Sequence, residues 1–259
     1  MKFQIISDIH TEFALENPDM EKDIFGIDIP ENSKEVTLLI AGDLSQRTAT
    51  SEFLNNLSQY YKNVVFVCGN HEFYGGKLES TVDDIVAGIR GDNIYLLDNE
   101  MISFAPEEDV VIIGSTLWSD NSLAFYNPNS YMNDYVYITD DNGKAIFPYD
   151  TLQKHYEAVG YIYSTIDYLK KKHKNIKIIV LTHHLPSYKM IDKDYFESCL
   201  NPFYASNLES IMELGVDVWI CGHTHWAFDE VIGNTRCIVN PRGYPGQLTN
   251  YNRQLIIEI

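Results

Sequence analysis

Short apolar runs rich in β-branched residues recur along the chain, at residues 3–6, 36–41, 64–68, 110–113, 176–181 and 218–221. Most are continuously apolar rather than alternating, which predicts strands buried on both faces. Helical spacing falls between several of them. Phe53, Leu54, Leu57, Tyr60 and Tyr61 predict a helix over 51–61. Ser80 and Asp83 stand in capping-box positions for a helix over 80–89, and Ser206 and Glu209 do the same for 206–214. Residues 151–173 read as one long amphipathic helix. Strands alternating with helices indicate a layered α/β fold. The tail differs. Residues 229–232, a Gly233-Asn234 turn, 235–239 and 254–259 read as antiparallel strands joined by hairpins. A mixed sheet, or two stacked sheets with helices outside, accommodates both patterns.

Residues 117–150 break this rhythm with Asn, Asp, Pro and a cluster of aromatics: Trp118, Phe125, Tyr126, Tyr131, Tyr135, Tyr137, Phe147 and Tyr149. A structureless stretch of that length is rarely idle in a compact domain. It is either an insertion that caps a site, with Tyr131, Asn133, Asp134 and Tyr135 able to meet a ring, or an aromatic flap packed on the body. Neither a repeat nor a low-complexity linker divides the 259 residues, so one domain over 1–259 is expected. Hydrophobic content of 45% and charged content of 22% exclude a disordered chain and a coiled coil.

The chemistry gathers where the apolar runs end. Residues 3–6 lead into Asp8 and His10, 36–41 into Gly42-Asp43, and 64–68 into Gly69-Asn70-His71-Glu72. Residues 176–181 lead into His183-His184, and 218–221 into Gly222-His223-Thr224-His225. In an open α/β sheet the carboxyl ends of strands are where ligands bind. His, Asp and Asn are ligands for divalent transition metals. Asp8/His10 and His223/His225 are spaced so that an extended backbone would point each pair one way. Of the 8 histidines, only His155 and His173 fall outside these segments, and both are expected on the solvated face of the long helix.

Charge narrows the function. The 37 acids against 19 bases give a net charge of −18, which repels nucleic acid and anionic membranes. A phosphorylated substrate then needs local positive charge. Two divalent ions against Asp8, Asp43 and a hydroxide leave a residual charge of about +1. Arg47, Lys189 and Arg242 are the basic residues nearest these segments, and Arg242 is the first candidate for a substrate phosphate. No apolar run is long enough to span a membrane, the first residues lack a signal-peptide core, and the 4 cysteines show no CxxC spacing. A cytoplasmic protein with reduced thiols buried as small hydrophobes is expected. No GxxxxGK[ST] or G-x-S-x-G motif is present, which argues against a P-loop NTPase and a serine hydrolase.

Taken in order, Asp8-Ile9-His10, Gly42-Asp43, Gly69-Asn70-His71-Glu72, His183 and Gly222-His223-Thr224-His225 resemble the motif set of the calcineurin-like metallophosphoesterases. Asn240-Pro241-Arg242-Gly243 and residues 114–118 are similar to segments of its small bacterial members. The resemblance implies two stacked mixed β-sheets flanked by helices, a four-layer αββα sandwich. It implies one metal on Asp8, His10 and His225, a second on Asn70, His183 and His223, and Asp43 bridging both. His71 would act as proton donor or phosphate contact. His184 is the alternative to His183 as ligand, and Glu72 would orient a ligand histidine. The implied activity is hydrolysis of small phosphomono- or phosphodiesters, nucleotides included, by a hydroxide bridging two ions drawn from Mn, Fe, Zn, Co or Ni. A nuclease, a Ser/Thr protein phosphatase and a non-catalytic binding module are the alternatives on the same fold.

Overall fold

A computed structural model describes residues 1–16, 26–104, 109–124, 132–173 and 175–259. Among the described residues, eleven strands form two sheets. The first has the order β11-β1-β2-β3-β4, built from β1 (Lys2–Ile6), β2 (Val36–Ala41), β3 (Asn63–Val67), β4 (Ile94–Leu96) and β11 (Ile256–Glu258). Its first four strands by sequence run parallel, and β11 lies antiparallel against β1. The second has the order β5-β6-β7-β8-β10-β9, from β5 (Glu100–Ser103), β6 (Val110–Ser115), β7 (Lys177–Thr182), β8 (Val218–Cys221), β9 (Phe228–Ile232) and β10 (Thr235–Val239). Antiparallel edge strands β5 and β9 flank its parallel centre.

Three hydrophobic clusters explain the unbroken apolar runs. Alternate residues Phe3, Ile5, Leu39, Ala41, Val65, Val67, Ile112, Ile179, Leu181, Ile220 and Ile238 pack between the sheets. The intervening Leu38, Ile40, Val64 and Phe66 face an outer cluster that includes Leu54, Leu57 and Ile85 of α1 (Ala49–Ser58) and α2 (Thr81–Gly88). Val111, Ile113, Ile178, Val180 and Trp219 face a third cluster with Ile162, Ile166 and Leu169 from the long helix that begins at Pro148. Each central strand therefore buries both faces. The layers are helix, sheet, sheet, helix.

Several expectations fail for local reasons. The Ser80 side chain makes no capping bond. The 206–214 helix shrinks to Glu209–Met212 because its capping box is spent elsewhere. Ser206 Oγ accepts from Asp120 N, and Glu209 takes the Ser187 hydroxyl and Lys189 ammonium. The last strand crosses to the other sheet to pair with β1 instead of continuing the β9–β10 hairpin. Cys68, Cys221 and Cys237 are buried as expected, but Cys199 is exposed.

Within 117–150 Trp118, Met132, Tyr135, Ile138 and Ile146 pack on the body, while Tyr137, Phe147 and Tyr149 are exposed. Trp118 lies against Phe73 and His184. A short helix, α3 (Asp134–Tyr137), buries Tyr135 beside Phe203, with its hydroxyl 3.0 Å from Thr151. The final three residues already belong to α4 (Pro148–Lys172). Phe125, Tyr126 and Tyr131 lie outside the described residues. On α4, His155 is buried rather than solvated, because its Nδ1 donates to the Leu117 carbonyl at 3.1 Å and burial holds the ring neutral.

Candidate metal centre

The five loops after β1, β2, β3, β7 and β8 meet at one end of the two sheets, but not as extended segments. Asp8 (φ 53°), His10 (52°), Asp43 (52°), His223 (73°) and His225 (51°) all take left-handed backbone conformations. Such conformations are uncommon for residues with a Cβ and persist where surrounding bonds enforce them. Here Asp8 N donates to Gly42 O at 3.1 Å and His10 N to Asp43 O at 3.0 Å. His223 N donates to Asp8 Oδ1 at 2.9 Å. Close approach also depends on two glycines. A Cβ at Gly42 would overlap the His183 ring, and one at Gly69 would overlap Asp43 Oδ1.

The loops bring nearly all the nominated ligands together. Donor atoms of Asp8, His10, Asp43 and His225 lie within 4.8 Å of one another, as do those of Asp43, His183 and His223. Asp43 is common to both groups. Its Oδ2 lies 3.8 Å from His10 Nε2, and its Oδ1 lies 3.4 Å from His183 Nε2. Asn70 Oδ1 is 3.0 Å from the same His183 nitrogen. The Asn70 amide nitrogen donates to Asp134 Oδ1 (2.8 Å) and Tyr74 Oη (2.9 Å), which turns its oxygen inward.

Hydrogen bonds fix the ring tautomers. The Nδ1 atoms of His10, His183 and His225 each face an oxygen acceptor: Glu12 Oε1 (3.1 Å), Ala41 O (2.9 Å) and Gln247 Oε1 (2.7 Å). Each ring then presents Nε2 to the centre. His10 Nε2 and His225 Nε2 stand 2.9 Å apart, where two lone pairs repel unless a proton or a cation lies between them. His223 Nε2 is buried with no hydrogen-bond partner among the described residues. Imidazole nitrogens, carboxylates and one amide oxygen, with an orphaned nitrogen among them, fit divalent transition ions.

Electrostatics agree with that fit. Burial alone would raise Asp43 and Asp8. The histidines around Asp43 hold it well below the usual carboxylate range, and the bond to His225 lowers Asp8. Burial, with His184 and His183 alongside, pushes His223 well below the ordinary histidine value and keeps it neutral. His71 and His183 behave oppositely. Burial pulls both down, but the Asp43 charge and hydrogen bonds to carboxylates raise each to about 9.

His71 sits beside the two donor groups. Its Nδ1 bonds to Glu12 Oε1 at 2.8 Å, and its Nε2 lies 3.2 Å from Tyr244 Oη. His10, Glu12 and His71 also form a third cluster of donor atoms. One Glu12 oxygen accepts from both rings, so the carboxylate orients a nominated metal ligand and His71 at once. Glu12 was not nominated from sequence, although it lies two residues past His10. Gln247, Tyr244 and Tyr74 were missed as well. Tyr244 and Gln247 reach the centre from a distant segment with no local motif to mark them, whereas Tyr74 closes the short turn that follows Asn70 and His71.

Three nominated residues take other places. His184 supplies no donor atom to either group, but its ring packs 4.2 Å from that of His223, beside a nominated ligand, and its Nδ1 lies 3.3 Å from Thr116 O. Glu72 orients no histidine. Its carboxylate instead accepts four backbone N–H bonds, from Asp43 (3.0 Å), Leu44 (2.8 Å), Ser45 (3.0 Å) and Gly69 (2.6 Å). Arg242 is not a lining residue of the cavity beside the centre, because its Nη1 is turned to the Ile9 carbonyl at 2.9 Å. That cavity measures about 550 Å³ and reaches from Asp43, Asn70, His71 and His223 out to Asp192, Tyr195, Trp226 and Leu248.

A two-sheet αββα sandwich with His, Asp and Asn converging at the strand ends defines a metallohydrolase scaffold. Residues 1–227 match the family described as calcineurin-like phosphoesterase, and the chain belongs to that family. An uncharacterised protein of Acanthamoeba polyphaga mimivirus is 30% identical over 241 residues, covering 86% of this chain and 83% of the viral protein. Among solved structures, the phosphopantetheinyl hydrolase of Mycobacterium tuberculosis superposes with a TM-score of 0.71 at 17% identity, covering 94% of this chain and 90% of that one. GAP50, the anchor in the inner membrane complex of Plasmodium, gives 0.50 at 16% identity, covering 98% and 75%. Likeness at these identities concerns the fold. Among the described residues, no helix is long and apolar enough to cross a membrane.

Proposed function

We propose that this protein is a dinuclear metal-dependent hydrolase of small phosphomono- or phosphodiesters, with nucleotides within reach of its cavity. The observation that carries the reading is Asp43, whose two oxygens face two separate donor groups. Asp8, His10 and His225 would hold one ion, Asn70, His183 and His223 the other, and Asp43 both. Bound ions would supply Lewis acidity towards the phosphoryl oxygens and acidify the attacking water.

The chain's own groups do the rest. The Glu12 carboxylate fixes the His71 Nδ1 proton, so His71 Nε2 is the atom that faces the cavity. In the metal-free protein the ring is raised to about 9, and its Nε2 can hand a proton to a departing alkoxide. Tyr244 Oη, at 3.2 Å, holds the ring's outward edge and must yield as substrate enters.

The alternatives fit less well. A nuclease needs a basic groove for a polyanionic backbone, and no Lys or Arg is among the described lining residues. A protein phosphatase needs an open face, whereas Asn133 and Asp134 wall one side and residues 191–204 contribute to the other. A non-catalytic role, as the word anchor suggests for GAP50, would not require two intact donor groups.

The test is hydrolysis of bis-(4-nitrophenyl) phosphate and 4-nitrophenyl phosphate by metal-stripped protein reconstituted with Mn²⁺. Preference for the diester identifies a phosphodiesterase, and the reverse a phosphatase. Two bound ions with no turnover of either ester would overturn the proposal.

A further inference from the structure

No Lys or Arg is among the described residues that line the cavity beside the metal centre, and the lining histidines His71, His223 and His225 stand where it meets the donor groups. The three basic residues nearest the motif loops are all engaged elsewhere or turned away. Lys189 Nζ is bound to Glu209, Arg242 Nη1 is turned to the Ile9 carbonyl, and exposed Arg47 is not a lining residue. The described wall carries Asp134 and Asp192, and the whole chain is strongly acidic at −18. Aromatic and apolar side chains stand among the polar ones of the same lining. Tyr195 is 63% exposed and Leu248 is 96% exposed, and both line the cavity together with Trp226 and with Tyr244, whose ring stands 4.6 Å from those of His10 and His225. A fully exposed leucine beside exposed aromatics at the mouth of a pocket marks where an apolar part of a ligand rests.

Resting on the phosphoesterase reading, we infer that the substrate carries a single phosphorus group and an uncharged, planar or apolar arm. The phosphoryl end is drawn to the centre. The arm lies along Trp226 and Tyr244 towards Tyr195 and Leu248. A second anionic group on that arm, whether a carboxylate or a further phosphate, meets Asp192 and no counter-charge. Coulomb repulsion in a partly enclosed, low-dielectric cleft penalises it. Esters whose remote arm carries a carboxylate or a phosphate therefore fall outside the substrate class, while aryl diesters and nucleoside monophosphate esters with neutral arms fall within it.

The experiment pairs 4-nitrophenyl phenyl phosphate with its 4-carboxyphenyl counterpart, so that the two esters differ by one remote charge. With Mn²⁺-loaded protein, kcat/KM is expected to be at least about tenfold lower for the carboxylate, a factor equivalent to about 1.4 kcal/mol. Leu248→Lys adds a base at a position too exposed to disturb folding, and it should narrow the ratio to below about threefold. A binding readout needs no turnover. Trp118 and Trp219 are buried and Trp226 lines the cavity, so 4-nitrobenzyl alcohol should quench tryptophan fluorescence of metal-stripped protein. 4-Nitrobenzoate should quench far less, and Trp226→Phe should abolish the difference. Equal rates on both esters, or equal quenching by alcohol and carboxylate, overturn the inference while leaving the phosphoesterase standing. Discrimination in quenching with no turnover of either ester would do the reverse.

Discussion

Glu72→Gln replaces one of two carboxylate oxygens in a fully buried side chain with a donor. Oε1 accepts from Leu44 N and Ser45 N, and Oε2 accepts from Asp43 N and Gly69 N. A carboxylate offers about four lone-pair sites, and here all are used. Whichever way the new amide turns, two backbone N–H groups lose their acceptor and face N–H hydrogens. A buried unsatisfied donor costs about 1–3 kcal/mol, so the pair costs about 2–6 kcal/mol, with relaxation favouring the lower half. Against a typical stability of about 5–15 kcal/mol the change is readily measured. Urea unfolding of metal-stripped protein is the assay, since bound ions would stabilise the native state and mask the loss. Glu79→Gln is the control. It removes an exposed pair with Lys154, which should cost no more than about 1 kcal/mol. Because the Glu72 bonds hold the loop that carries Asp43, Mn²⁺ affinity should also fall. An unfolding free energy within about 0.5 kcal/mol of wild type would refute the reasoning, because that is the scatter of neutral surface changes.

Asp43→Asn and His71→Ala should each lower turnover of an aryl phosphate at least about a hundredfold with an unchanged circular dichroism spectrum. Retained activity in metal-replete His71→Ala would end the proton-donor assignment. Glu12→Gln should cost more on an alkyl ester than on a nitrophenyl ester, since only the poorer leaving group needs an oriented proton donor. Identical losses on both would place Glu12 on the metal side alone. In metal-stripped protein, His71 and His183 are raised from an ordinary 6.5 to about 9. The stability they contribute is complete below pH 6.5 and is lost as pH rises through about 9. Urea midpoints should fall between pH 6 and pH 10. The depressed carboxyls of Asp8 and Asp43 lose their contribution only in acid and do not enter that window. A flat profile would show that neither ring is held protonated.

The strand cores and the strand-end residues could be read from sequence because both are local signals. An unbroken apolar run such as residues 36–41 has few options other than a strand buried on both faces, and Asp43 follows it directly. The edge strands β4 and β5 were missed because they are short. β5, Glu100–Ser103, is mostly exposed and carries no apolar run. The 206–214 helix was overcalled because Glu209, read locally as a capping residue, is bound by Ser187 and Lys189 from another segment. The spacing of Asp8/His10 and His223/His225 drew attention to the right residues for the wrong backbone reason, since the pairs converge through left-handed turns. Glu12, Gln247 and Arg242 show the limit most clearly. Their roles depend on which carbonyl or ring lies opposite after folding, and a single sequence does not record that.

The charge of the chain and the geometry of the centre together demand more of the ions than chemistry. At −18, with no Lys or Arg among the described residues that line its cavity, the protein offers an incoming phosphate little attraction of its own. His71 and His225 are the lining groups raised above an ordinary histidine, and each already faces carboxylates, His71 those of Glu12 and Asp43 and His225 that of Asp8. Positive charge sufficient to hold an anion must therefore arrive with the metals. Stripping them should abolish binding of phosphate-bearing ligands as well as turnover, so that metal content sets occupancy as well as rate. The same arrangement keeps the apo-protein from retaining phosphate esters. A wall of permanent arginines would bind them whether or not they could be hydrolysed.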